Sequence, residues 1–321
     1  SPEAFARAIE IAESFTVETL IPDPLGRTSG RKRQMSCRWD AKTLLSAAKD
    51  EDEFFRYCAG VAYEMSTRPG VRGGLDLRIT AMDLPLKKGV SSSAAVCILV
   101  AKAFDAVYGL GLFPHELMDL AYLGERLTGS QCGRMDQACI YGKTPVLLTF
   151  AKGEDIRVEP IFPGGAISMF FVDLAGQKDT VKILNDLRWA YLQSPDLQKA
   201  LGEANARTVR QAYHALAVGN AETLGRLMAA SQKTFDELVA PHSPEQLASP
   251  LLHQVLSMPE LAPHVYGGKG VGSQGDGTAQ MVARSPADRD AAMAILRRAM
   301  PQMQCFPLTI SPAAANGAAP A

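Results

Sequence analysis

Apolar residues recur along this chain at two alternating spacings, and the changes of spacing divide it into helices, strands and breaks. Phe54, Phe55, Cys58, Val61 and Ala62 lie on one helical stripe, which predicts a helix over 52–66 behind a shorter one at 41–49. Leu75 to Ala81 alternates apolar and polar residues, as a half-buried strand does. Val96, Leu99, Val100, Ala103, Phe104 and Val107 return to helical spacing, up to about residue 108. Pro114 stands where a helix-opening proline belongs, and Leu117, Leu120, Ala121 and Leu127 carry that helix to about 128. A short helical turn is expected at 135–140 and strands at 146–150 and 156–161. Ahead of all these, 2–15 reads as a short amphipathic element and Asp23 to Arg33 as a loop.

Pro163-Gly-Gly165 breaks the pattern, and the domain boundary is placed there. The second half opens with a strand over 167–174, followed by a long helical stretch interrupted at Ser194-Pro-Asp, at Gly219-Asn220 and at Pro241. A glycine-rich loop over 267–277 precedes a strand at 278–282, a helix at 286–299 and a strand at 303–310. Strands separated by helix clusters in both halves give an α/β (α+β) protein with two layers per domain. The expected organisation is 1–163, 164–311 and a tail over 312–321 whose Ala/Pro-rich sequence predicts disorder.

Composition narrows the function. At 321 residues with 47% hydrophobic content, the chain can bury two cores. Thirty-three basic against 34 acidic residues leave a net charge of -1, which argues against a nucleic-acid or membrane-surface partner. Arg31-Lys-Arg33 is an isolated basic stretch, read as solvated loop. The six cysteines show no CxxC pair or disulfide-framework spacing, as expected of a reducing cytoplasmic setting. The longest apolar run, 94–101, is far short of a membrane span.

Three polar constellations could carry chemistry. Gly89-Val-Ser-Ser-Ser93 lies between the strand at 75–81 and the apolar helix that follows. At a helix start the backbone N–H groups have no intrahelical partners and the dipole presents its positive end, so an anion is the natural occupant. A plain serine-capped helix is the alternative. Glu125 shares a helical face with Met118, Ala121 and Tyr122, where a charge is costly unless paired, and Asp136 follows a Gly/Cys loop. Two carboxylates beside a phosphate site suit one metal ligand and one base for a substrate hydroxyl; an ion-paired carboxylate and a capping aspartate fit the same pattern. The third constellation, Tyr266 to Gly277, is rich enough in glycine for backbone to approach a partner closely, as a flexible linker would also be. No Gly-x4-Gly-Lys-Ser/Thr loop is present, and two near misses of the Gly-x-Ser-x-Gly elbow leave a serine hydrolase using Ser92 as a remote alternative.

In this order the three constellations resemble the GHMP small-molecule kinases. Pro85-x3-Gly-Val-Ser-Ser-Ser-Ala-Ala95 is similar to the family's second motif. Gly124 to Gln137, ending Cys-Gly-Arg-Met-Asp-Gln, is similar to a segment of galactokinases and L-arabinokinases, and Gly268 to Gly277 loosely resembles the third motif. The resemblance implies an N-terminal α/β domain and a C-terminal ferredoxin-like domain with inserted helices. It also implies transfer of the γ-phosphoryl of ATP, with Mg2+, to a small-molecule sugar hydroxyl, at the anomeric position by the Met-Asp-Gln segment. Carried over, Lys88, Gly89, Ser91, Ser92 and Ser93 would hold ATP, Ser93 and Glu125 would reach Mg2+, and Asp136 would be the catalytic base. Gly272 and Gly275 would support the cleft.

The sequence also departs from the family. The first motif, Gly-Arg-x-x-Leu-x-Gly, is absent from Ser1 onward, with Leu25 to Gly30 only an echo of it. Ser273, Gln274 and Asp276 replace small residues of the third motif, so that Asp276 adds charge to a loop expected to meet anions. Arg134 stands where related sugar kinases carry an apolar residue, and an acidic sugar or an ion pair would equally explain it. These departures leave open a kinase for a sugar acid, sugar phosphate or other alcohol, and a non-catalytic nucleotide- or sugar-binding sensor.

Overall fold

The computed structural model describes residues 14–21, 31–49, 54–79, 91–142, 144–150 and 156–312. Lys88, Gly89, most of the expected 2–15 element and the tail from 313 onward lie outside the described residues. The chain divides into two compact units, 1–142 and 143–321. That division falls some twenty residues before Pro163. The intervening strands β4 (Val146–Phe150) and β5 (Ile156–Pro160) form an antiparallel hairpin that joins neither of the other two sheets.

The first unit holds a three-stranded sheet in which β1 (Ser14–Ile21) lies between β2 (Arg31–Arg38) and β3 (Asp76–Ile79). β1 runs antiparallel to β2 and parallel to β3. Phe15 and Val17 of β1 point into the core, where the Phe15 ring lies 5.9 Å from both Phe55 and Phe104. The loop expected over 23–33 is corrected at its end, because Arg31 to Arg33 begin β2. This is an edge strand whose only apolar residues are Met35 and Cys37, and basic residues on an edge discourage pairing with another chain.

Among the described residues this unit also holds four α-helices: α1 (Ala41–Lys49), α2 (Phe55–Ser66), α3 (Ser92–Tyr108) and α4 (Pro114–Leu127). The inward stripe of α2 is Phe55, Cys58, Ala59, Val61, Ala62 and Met65, close to the stripe in the sequence. α2 and α4 meet at Gly60 and Gly124. A Cβ on Gly124 would lie 2.6 Å from the Val61 backbone, and one on Gly60 would overlap the Gly124 carbonyl. Only bare backbone permits this approach, and it fixes the residue after Gly124, which is Glu125.

In the second unit a four-stranded antiparallel sheet runs β7 (Val265–Gly270), β8 (Thr278–Ala283), β6 (Ile167–Asp173), β9 (Gln304–Ile310). The crossovers are helical: α5 (Thr180–Tyr191), α6 (Pro195–Lys199), α7 (Asn205–Ala217), α8 (Ala221–Leu238), α9 (Pro244–Leu247) and α10 (Pro250–Leu256) before β7, then α11 (Pro286–Ala299) before β9. This strand order and alternation of elements is ferredoxin-like, with the extra helices inserted in the first crossover.

β6 is buried on both faces. Phe170, Val172 and Leu174 pack with Leu252, Val255, Ala292 and Leu296, while Ile167 and Met169 pack with Ala215, Leu224 and Met228. The glycine-rich segment begins as strand β7 rather than as a loop, a correction with a physical cause. α8 presses on β7 so closely that a Cβ on Gly225 would lie 2.5 Å from the Tyr266 Cβ.

Candidate active site

α3 opens on the serine cluster. Ser91 is its N-cap residue, in the left-handed region at φ +53° and ψ +45°, with no side-chain bond to the helix; Ser92 and Ser93 form the first turn. A non-glycine residue held in that region is strained, and such strain collects at ligand sites. Because Ser91 caps nothing, the backbone N–H groups of the first turn keep their donors. The Ser93 hydroxyl turns sideways and donates to Glu125 Oε1 at 2.7 Å.

Glu125 lies near the end of α4 and is only 3% exposed. Its second oxygen accepts from Gln137 Nε2 at 2.9 Å. No lysine or arginine pairs with this carboxylate among the described residues. Burial pushes its pKa up and the charge of Asp136 adds to the effect, while hydrogen bonds from Ser93, Gln137 and Cys132 partly offset them. The same field acts on the nearby thiols. Burial first and Glu125 second push Cys132 up to about 11; burial first and Asp136 second do the same to Cys139.

Asp136 opens the short 3₁₀ turn Asp136–Tyr141, half-buried, with Gln137 fully buried beside it. Gln137 Oε1 has no hydrogen-bond partner among the described residues. Ser93, Glu125 and Asp136 are therefore brought together. Gln137 is a site residue that the sequence reading passed over, although its place directly after Asp136 was visible. Nothing local says that its amide meets a carboxylate twelve residues earlier.

Arg134 is committed within the first unit. It pairs with Asp119 Oδ1 at 3.3 Å, and its guanidinium lies 4.8 Å from the Tyr122 ring centre. Gly272 and Gly275 belong to the β7–β8 turn of the second unit, with left-handed φ of +60° and +71° that favour glycine. Asp276 is committed as well, since its Oδ1 accepts from Leu252 N at 2.9 Å and so caps the start of α10. Its carboxylate serves a helix start. All six cysteines are free thiols, and no helix among the described residues is long and apolar enough to cross a membrane.

Comparison with known proteins bears on this site. Residues 56–143 match the GHMP kinases N terminal domain, a stretch that contains Ser91–Ser93, Glu125 and Asp136. Over that stretch this chain is similar to a GHMP kinase N-terminal domain. It is 30% identical over 128 residues to a galactokinase of Glaesserella parasuis, an alignment covering 38% of the chain and 32% of that enzyme. The match thus spans about a third of the length of this curated relative. The fold extends further. The Lactococcus lactis galactokinase complexed with galactose superposes with a TM-score of 0.70 at 16% identity, over 95% of this chain and 84% of that one. The L. major mevalonate kinase in complex with R-mevalonate gives 0.67 at 22% identity, over 84% of this chain and 80% of that one. Both units thus carry the fold of GHMP kinases.

The donor set suits a hard divalent cation. Ser93 Oγ and Glu125 Oε1 are oxygen donors 2.7 Å apart, and the carboxylate is buried with no cationic partner among the described residues. No group of three His, Cys, Asp or Glu side chains able to hold a metal occurs among those residues. Mg2+ normally binds through one or two carboxylates completed by substrate phosphates, so Ser93 and Glu125 fit it.

Proposed function

We propose that this chain is an ATP-dependent phosphotransferase that passes the γ-phosphoryl group to a hydroxyl of a small sugar, at the anomeric position. The observation that carries the reading is the convergence of Ser93, Glu125 and Asp136 at the start of a helix within a stretch similar to a GHMP kinase N-terminal domain. The unpartnered N–H groups of the first turn of α3, with Gly89 and Lys88 before them, receive the ATP phosphates. Ser93 and Glu125 hold Mg2+, which when bound neutralises charge on the phosphates. Gln137 holds the Glu125 carboxylate in one orientation. Asp136 accepts the proton of the acceptor hydroxyl, whose oxygen forms the bond to the γ-phosphorus as the bond from that phosphorus to the β,γ-bridging oxygen breaks and ADP leaves. Such transfer needs positioning and charge neutralisation more than covalent chemistry, and these groups provide both.

The position of the acceptor hydroxyl rests on the similarity of Met135-Asp-Gln137 to the galactokinase segment. ADP release in a coupled assay over a panel of monosaccharides tests the reading, alongside calorimetric titration with a non-hydrolysable ATP analogue and Mg2+. Turnover with one sugar class is expected. Tight nucleotide and sugar binding without product formation would make the chain a sensor instead.

A further inference from the structure

Helix α5 of the second unit is apolar on both faces. Its inward stripe is Ile183, Leu187 and Ala190, where Ile183 is fully buried and the other two pack with Leu197, Ala200 and Val239. A surface helix normally carries polar residues on the opposite side. From Thr180 to Leu192 eight residues stand exposed, and five of them are large and apolar: Trp189 (69%), Leu192 (68%), Val181 (51%), Leu184 (41%) and Tyr191 (41%). Thr180, Asn185 and Arg188 are the other three, so a single charge interrupts this face. The helix is also fixed in place. Ser243 Oγ donates to Asp186 Oδ2 at 2.7 Å, Asp179 N donates to Gln246 Oε1 at 2.7 Å, and Gln198 Nε2 donates to the Tyr191 carbonyl at 2.6 Å. A face held rigid beforehand loses little conformational entropy on binding.

The size of the face decides what it can do. An aromatic residue covers about 150–250 Å2 and an aliphatic one somewhat less, so at their exposures the five apolar residues present on the order of 500 Å2. With Thr180, Asn185 and Arg188 the face approaches the about 800 Å2 that each partner gives to a standard stable interface. Its pattern points to the occupant. Val181, Asn185, Arg188 and Leu192, spaced 4, 3 and 4, lie on the side of the helix opposite the inward stripe, and that is the spacing of a helix–helix seam. The seam complements itself in one direction only. Laid antiparallel on a second copy, Val181 meets Leu192, and Asn185 meets Arg188, whose guanidinium donates to the Asn185 amide oxygen. Laid parallel, Arg188 would face Arg188, and like charges across an interface cost affinity. Lys182, to one side, is already paired with Asp186 and Glu245.

We infer that the outer face of α5 is a dimer interface, on which α5 of a second copy of this chain packs antiparallel about a two-fold axis. Each contact of the seam is then made twice. The inference goes beyond the kinase reading and stands or falls without it.

Sedimentation equilibrium of the full chain across the micromolar range, with tryptophan emission recorded over the same concentrations, tests it. Trp39 and Trp189 are the two tryptophans, and Trp39 lies 5.5 Å from Phe104 in the first unit, so Trp39→Phe leaves Trp189 as the reporter. The wild type should reach twice the chain mass, and Trp189 emission should move to the blue in step with the mass. Leu192→Lys and Val181→Lys each put an ammonium into the seam twice and should weaken association about a hundredfold or more, with circular dichroism unchanged. Val218→Lys, at an apolar position 71% exposed between α7 and α8, should leave the dimer intact. A wild type that is monomeric at every concentration overturns the inference. Blue-shifted Trp189 in that monomer would mean that another part of the same chain covers α5, and solvent-like emission that nothing does. A dimer that survives both lysine substitutions uses another surface and also overturns it.

Discussion

Replacing Gly124 with alanine tests how the fold holds the site. The new Cβ would lie 2.6 Å from the backbone N and Cα of Val61 and 2.7 Å from its Cγ2. Carbon atoms in good contact stand about 3.5–4.0 Å apart, so α2 and α4 must separate by roughly 1 Å. Two terms oppose each other. Alanine in a helix interior gains about 1 kcal/mol over glycine. Overpacking costs about 1–3 kcal/mol, and backbone cannot escape by changing rotamer as a side chain can. The clash wins, and the midpoint of that cost less the helix gain leaves a net loss of about 1 kcal/mol, or about 4 °C in the melting temperature of the first unit. Because Glu125 follows Gly124, the 2.7 Å bond to Ser93 shifts too. A 1 Å misplacement can cost about a hundredfold in rate. Differential scanning calorimetry and the coupled ADP assay measure both effects. Gly202→Ala is the control, since its Cβ would meet nothing within 4 Å and only the helix-propensity gain remains. If Gly124→Ala matches the wild type in stability and activity, the close packing of α2 on α4 does not position Glu125.

Glu125→Gln should trade function for stability. Burial raises this carboxyl above its unfolded value, so the native chain holds more protons than the unfolded chain between the two values. Wild-type stability therefore rises as pH falls through that window and drops as pH climbs out of it. The glutamine variant should lose this dependence and melt higher than the wild type at pH 8, which thermal melts at pH 5 and pH 8 would read. Gln137 can turn its amide so that the unpartnered Oε1 accepts from the new side chain. Mg2+-dependent turnover should disappear. Cys139 is exposed as a residue, but its thiol is sheltered, and burial first and Asp136 second push it up to about 11. Alkylation at pH 8, followed by mass spectrometry, should run about a hundredfold slower than for a free cysteine of pKa ~8.5, because the thiolate is the nucleophile. Labelling at the free-thiol rate would contradict the acidic surroundings described for it.

The helices of the first unit were legible because their apolar stripes are long and face a single core. Ser93, Glu125 and Asp136 were legible because each sits beside a turn or helix end that the local pattern marks. β1 and β2 were not. β2 is an edge strand with only two apolar residues, which leaves little alternation to read. β7 was hidden by its glycines, which exist because α8 lies against it and belong to tertiary contact rather than strand propensity. The same reason hid the Gly60–Gly124 approach and the Gln137 amide on Glu125. Each joins residues of different elements, and only the folded chain pairs them. Asp276 and Arg134 show the converse. Asp276 read as a charge added to an anion-binding loop and Arg134 as either a contact for an acidic sugar or half of an ion pair, and both are committed to neighbours within their own units.

The central claim is that Asp136, beside Ser93 and Glu125, serves the transfer of a phosphoryl group. Phosphorus NMR of the full chain with ATP, Mg2+ and the acceptor class selected in the coupled ADP assay follows the γ-phosphoryl directly. The wild type should convert the γ resonance into a sugar phosphate ester. Asp136→Asn should slow that conversion about 10²- to 10⁴-fold, the range for losing a general base, while still binding the ATP analogue. Equal rates of ester formation in the two proteins, or a γ resonance that only becomes inorganic phosphate, would contradict the account.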